Sequence, residues 1–170
     1  MKRLVVLLAA MVLAAAFLPL RLAPPVAASA TSFSFTLTGP NTAEAPSGPF
    51  AGDTIRVTGS GTFNTGGVGS VVASGSFTHI KADGSVFARG TWTATGFTGF
   101  LGFGGPSPGI QGGKLEITVT LFPNGGAPVT GVPMSVTCLV NKPASFTEEE
   151  GTTVGEFTEK TGGLTLFHKD

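Results

Sequence analysis

Residues 70–95 read SVVASGSFTHIKADGSVFARGTWTAT, and the alternation in this stretch decides the fold. Val71, Ala73, Gly75, Phe77 and His79 share one parity, while Ser74, Ser76 and Thr78 share the other. Past Lys81-Ala82-Asp83-Gly84-Ser85 the pattern resumes, with Ala88, Gly90, Trp92 and Ala94 set against Arg89, Thr91, Thr93 and Thr95. Successive side chains of a strand point to opposite faces, so this period of two predicts two strands with one apolar face. Asp-Gly is a favoured hairpin turn because both central residues must reach positive φ. With Asp83-Gly84 as a two-residue loop, paired residue numbers sum to 167, which sets Phe77 opposite Gly90 and Gly75 opposite Trp92. A ring lying across a glycine shields backbone that water would otherwise reach.

The preceding hairpin supports the same face. A three-residue loop at Gly66-Gly67-Val68 makes paired numbers sum to 134, which opposes Phe63 to Val71, Val57 to Phe77 and Ile55 to His79. The predicted buried face then holds Ile55, Val57, Phe63, Val71, Ala73, Phe77, Ala88, Trp92 and Ala94. A slip of one residue would turn all of these to solvent, so the pattern fixes the register. Outward from this centre, further strands are predicted around Phe33–Leu37 and over Lys114–Phe122, Pro133–Val140, Thr152–Lys160 and Leu164–Lys169, with a Pro/Gly-rich loop at Gly39–Gly52. No segment repeats apolar residues at helical spacing. The expected fold is all-β, an antiparallel meander of about eight strands that closes or nearly closes into a barrel, with a β-sandwich as the alternative.

The 170 residues include 26 Gly, 12 Pro and one Cys, carry no net charge, and are only 12% charged. A nucleic-acid partner would call for a basic excess, and a disulfide-stapled module for several cysteines. At the start, Lys2 and Arg3 precede the uncharged stretch Leu4–Leu20, prolines at 19, 24 and 25 break it, and Ala28-Ser29-Ala30 offers the small side chains that a signal peptidase accepts. Residues 1–30 are therefore read as a signal peptide cut after Ala30, and 31–170 as one secreted domain with no membrane span. The competing reading is a retained anchor, since the apolar stretch reaches the lower limit for crossing a bilayer. Cleavage removes Lys2, Arg3 and Arg21, so the 10 basic residues fall to 7 against 10 acidic ones, a net charge of −3.

Glycine recurs two residues before an aromatic in Gly61-Thr62-Phe63, Gly75-Ser76-Phe77 and Gly90-Thr91-Trp92. In these motifs the span Gly59–Phe103 resembles secreted β-rich bacterial proteins that lack an assigned function. At the level of architecture alone, the strand pattern is similar to the eight-stranded barrels of allene oxide cyclase and dirigent proteins. The resemblance implies a closed, coiled sheet and carries over no catalytic residue.

Chemistry-bearing side chains are sparse. His79 falls near the end of the inward face, where it serves as a hydrogen-bonded core histidine or as a ligand-facing base, and His168 lies beside the C-terminus. Two distant histidines and one cysteine cannot supply a zinc site, and no metal or cofactor is expected. Cys138 shares a parity with Met134, Val136 and Val140, which predicts a buried thiol, with an intermolecular disulfide as the alternative. Arg56 and Arg89 flank Thr78 in one row, either gripping an anion or standing solvated on the outer face. Glu148-Glu149-Glu150 reads as a solvated turn. Trp92 belongs to the core or to a ligand pocket, and Phe97, Phe100 and Phe103 either form an exposed apolar patch or cap one end of the barrel.

No Ser-His-Asp set, phosphate loop or pair of catalytic carboxylates stands in supporting context. The leading expectation is a secreted, non-enzymatic domain that binds a small apolar ligand or a cell-surface partner. The alternative is a cyclase- or isomerase-like enzyme acting on a hydrophobic substrate inside the barrel, with His79 or Glu116 at its mouth.

Overall fold

A computed structural model describes residues 30–107 and 109–170, so the signal-peptide reading, Ala30 apart, lies outside the described residues. Eight strands form: β1 (Ser32–Glu44), β2 (Thr54–Asn64), β3 (Ser70–Ile80), β4 (Val86–Gly104), β5 (Ile110–Pro123), β6 (Val129–Cys138), β7 (Gly151–Val154) and β8 (Glu159–Lys169). Among the described residues a single 3-10 turn, Gly48–Phe50, sits between β1 and β2. Among the described residues no helix is long and apolar enough to cross a membrane.

Both hairpins take the expected register. Phe63 pairs with Val71, Val57 with Phe77 and Ile55 with His79 across β2 and β3. Across β3 and β4, Phe77 pairs with Gly90 and Gly75 with Trp92. Trp92 is buried, and its indole N–H donates to the Thr58 carbonyl at 3.0 Å. A Cβ at Gly75 would land on that carbonyl oxygen and on the indole, so glycine is what lets the ring approach the backbone.

The turn itself departs from the expectation. Lys81 N–H donates to Ser85 O, so the loop is Ala82-Asp83-Gly84, and among these only Gly84 has positive φ, at 84°. This is the three-residue hairpin in which a glycine takes the left-handed position. A register shift between His79 and Ile80 restores the pairing beyond it, leaving Phe87 as the extra residue between Val86 and Ala88. Bulges of this kind re-aim side chains.

All eight strands belong to one antiparallel sheet of order β4-β3-β2-β1-β8-β5-β6-β7, and β4 also pairs with β5. Six strands therefore return on themselves as a ring, β1-β2-β3-β4-β5-β8, and the β6–β7 pair branches from it. The predicted strand Thr152–Lys160 does not run through. At Gly155, with φ 56°, the chain reverses, and Val154 and Phe157 exchange backbone hydrogen bonds of 3.1 and 3.0 Å. The chain then enters β8, which pairs with β1 from Glu159 onward and meets β5 at Ile110↔His168 and Gln111↔Phe167.

Side chains bridge the space between the ring and the branch. Asn41, fully buried where β1 bulges, accepts from Thr152 Oγ1 at 3.2 Å and donates to Leu164 O at 3.3 Å. Buried amides need such partners, and here they come from both sides. The Pro/Gly-rich segment is thus partly strand, β1 running on to Glu44. The acidic run is not a free turn either: Glu148 pairs with Lys114 at 2.7 Å and with the buried Lys160 at 3.3 Å, and Glu150 accepts from the Thr165 N–H at 3.0 Å. Burial pushes the Lys160 ammonium below its ordinary value, which Glu148 offsets in part.

β4 runs eight residues beyond the predicted Gly96, to Gly104. Register shifts between Ala94 and Gly96 and between Phe97 and Gly99 break the period of two. Phe97 and Phe100 consequently both pack on the core, and Phe100 lies 4.8 Å from Phe63, 4.9 Å from Phe33 and 5.4 Å from Phe167. These rings close the end of the ring where β2 turns into β3.

Candidate functional site

The other end of the inner face is open. There Ile55, Phe77, Ala88, Leu121 and Val132, with others, wall a cavity of about 450 Å³. That volume lies within the range that holds small ligands. Strands β2 to β5 supply one wall, β6 and the Gly155 turn another, and Phe50 of the 3-10 turn lines it too.

His79 is the polar centre of this apolar wall. It is buried, and its Nε2 lies 2.7 Å from Asp53 Oδ2. The second carboxylate oxygen, Oδ1, accepts the Ala82 N–H at 2.9 Å. The three-residue turn is what presents that N–H, so the unexpected turn and the position of Asp53 are linked. The imidazole is enclosed by the rings of Phe87, Phe157 and Phe50 at 4.7, 4.9 and 5.0 Å, the last two edge-on. Edge-on packing sets the positive rim of one ring against the face of another and fixes orientation as well as contact. Phe87 reaches His79 because the bulge turns it there. Beyond the Asp53 carboxylate, charge stands at the margin, where Glu156 is exposed and Lys81 Nζ stands 5.5 Å from the Phe87 ring.

Comparison with family models, curated proteins and solved structures finds no match to this chain. The geometry alone must therefore say what the cavity can hold.

Of the residues singled out from the sequence, His79 lines this cavity, and Trp92, Phe97, Phe100 and Phe103 do not. Trp92 is committed to the glycine backbone, and Phe103 packs on Phe146 at 4.6 Å. Arg56, Thr78 and Arg89 do form one row across β2, β3 and β4, with both arginines exposed on the outer face. Glu116 also faces outward, paired with Lys114 at 3.1 Å. Cys138 is a buried free thiol, and burial pushes its pKa up. Sequence reasoning missed Asp53, Phe50, Phe87 and Phe157. Asp53 was within reach, because it stands two residues before Ile55, on the parity that faces His79.

The hydrogen bond from His79 first, then that from the Ala82 N–H, holds the Asp53 carboxyl below its ordinary value despite its partial desolvation. A carboxyl with a lowered folded-state pKa stabilises the fold above its unfolded value, near 3.9, and loses that contribution as pH falls through the folded value. Asp53→Ala should therefore destabilise the protein at neutral pH, and the gap between variant and wild type in urea midpoint should narrow as pH falls below the ordinary carboxylate value. A gap that stays constant from neutral to acid pH would contradict an ionised Asp53 carboxylate hydrogen-bonded in the folded protein.

Proposed function

We propose that the protein is a secreted, non-enzymatic domain that holds a small apolar ligand in the cavity around His79. One observation carries this reading: a cavity of about 450 Å³ whose largely apolar wall includes the buried His79, itself hydrogen-bonded to the half-buried Asp53. Apolar walls with a few placed polar groups are the ordinary composition of ligand sites, the walls supplying affinity and the polar group orientation. The leader-like Lys2–Ala30 supports export.

The His79–Asp53 pair also favours a second reading, an isomerase- or cyclase-like activity in which the imidazole takes a proton from one atom of a hydrophobic substrate and returns it to another. The carboxylate would orient the ring and stabilise its charged form. Native mass spectrometry of protein recovered from its own host tests both. A binder should retain one small molecule per chain and release it unchanged after incubation. Release of a rearranged isomer would favour the enzyme, and protein that carries no adduct and takes up no apolar compound would overturn both.

A further inference from the structure

Resting on the ligand-binding reading above, the geometry points to a hydroxyl group on the ligand: we propose that the cavity selects apolar alcohols, with His79 Nδ1 accepting the hydroxyl proton. An ionised carboxylate can only accept. Asp53 Oδ2, 2.7 Å from His79 Nε2, therefore requires the ring proton to sit on Nε2. In a neutral imidazole the other nitrogen is then a bare acceptor, because the hydrogen bond at one nitrogen sets the state of the other. Among the described residues Nδ1 has no protein partner, and the one side-chain polar atom that is both sealed and unpartnered is Ser135 Oγ. Nδ1 is thus unpartnered but not sealed, on a ring that lines the cavity and is otherwise wrapped by phenylalanines.

An acceptor on an apolar wall discriminates by what it leaves unmet. A hydroxyl donates to Nδ1, whereas an ether or ketone of the same shape sets two acceptors against each other and loses the bond to water without replacement.

Asp53→Asn gives the sharpest consequence. Only the amide oxygen can accept the Ala82 N–H now held by Oδ1 at 2.9 Å, so the amide nitrogen must face His79 Nε2. That nitrogen donates, which moves the ring proton to Nδ1 and turns the cavity's acceptor into a donor.

The test is calorimetric titration of the full chain at about pH 8.5, where ordinary imidazoles are neutral, with adamantanol, its methyl ether and adamantanone. These share one rigid apolar cage. Wild type should bind adamantanol about five- to tenfold more tightly than the other two. Asp53→Asn should remove the advantage of adamantanol, since hydroxyl, ether and carbonyl oxygens all accept from an Nδ1–H, and His79→Phe should level all three while still binding them. Equal affinities in wild type, or a wild-type preference for adamantanone, would overturn the hydroxyl inference and leave the cavity reading intact. Failure of all three to bind would overturn the cavity reading and this inference with it.

Discussion

Trp92→Ala is expected to lower the unfolding free energy by about 4 kcal/mol, the largest stability loss of any single truncation in the β2–β4 sheet. The indole is 1% exposed, so nearly its whole surface leaves water on folding. Its neighbours cannot refill the space. Gly59 and Gly75, over which it lies, have no side chains to move inward, and their β-strand backbones are held by pairing on both sides. Truncation also strips the Thr58 carbonyl of the N–H it accepts, a further cost of about 1 kcal/mol for a group that stays partly buried. Phe122→Ala serves as the contrast, since that ring is 41% exposed and should cost under about 1 kcal/mol. Urea unfolding followed by circular dichroism measures both. A Trp92→Ala loss no greater than that of Phe122→Ala would mean that the ring does not lie across the glycines.

Ala88→Trp should abolish ligand uptake while leaving the fold intact. Ala88 pairs with His79 across β3 and β4, and both line the cavity. An indole projecting from that position occupies the space in front of the imidazole. It finds apolar neighbours in Leu121 and Val132, which partly offset the strain of overpacking. Affinity for adamantanol is expected to fall at least about hundredfold, the loss of essentially all apolar contact in the site. Val72→Trp adds the same ring on the outer face, where Val72 is 76% exposed, and should leave affinity within about twofold. Unchanged binding in Ala88→Trp would place the ligand elsewhere.

The inner face of β2, β3 and β4 is legible in the sequence because a period of two leaves one way to bury Val57, Phe77 and Trp92 together. The turn at Asp83-Gly84 is one residue longer than its dipeptide suggests, yet the register beyond it holds, because the bulge at Phe87 compensates the longer loop. The reach of β4 to Gly104 is hidden for a related reason: bulges near Thr95 and Thr98 change the spacing of inward residues from two to three, so Phe97 and Phe100 look like a break in a strand rather than its continuation. A closed sheet is expected from the strand pattern, but its closure by six strands, with β8 set between β1 and β5, is out of reach of local pattern. It depends on the reversal at Gly155, which cuts one expected strand into the short β7 and the start of β8. The site is half legible. His79 stands on the right face and Asp53 beside it, whereas Phe50 and Phe157 arrive from distant segments through tertiary packing that no local pattern records.

Those distant segments make the two ends of the ring different, one filled by phenylalanines and one open around His79. An amide chemical-shift titration with adamantanol tests that difference most directly. Shifts clustered at Phe50, Ile55, His79, Ala88, Val132 and Phe157, saturating at one molecule per chain, are the expected result. Shifts centred instead on Phe63, Phe97 and Phe100, or none at saturating ligand, would contradict a ligand site at His79.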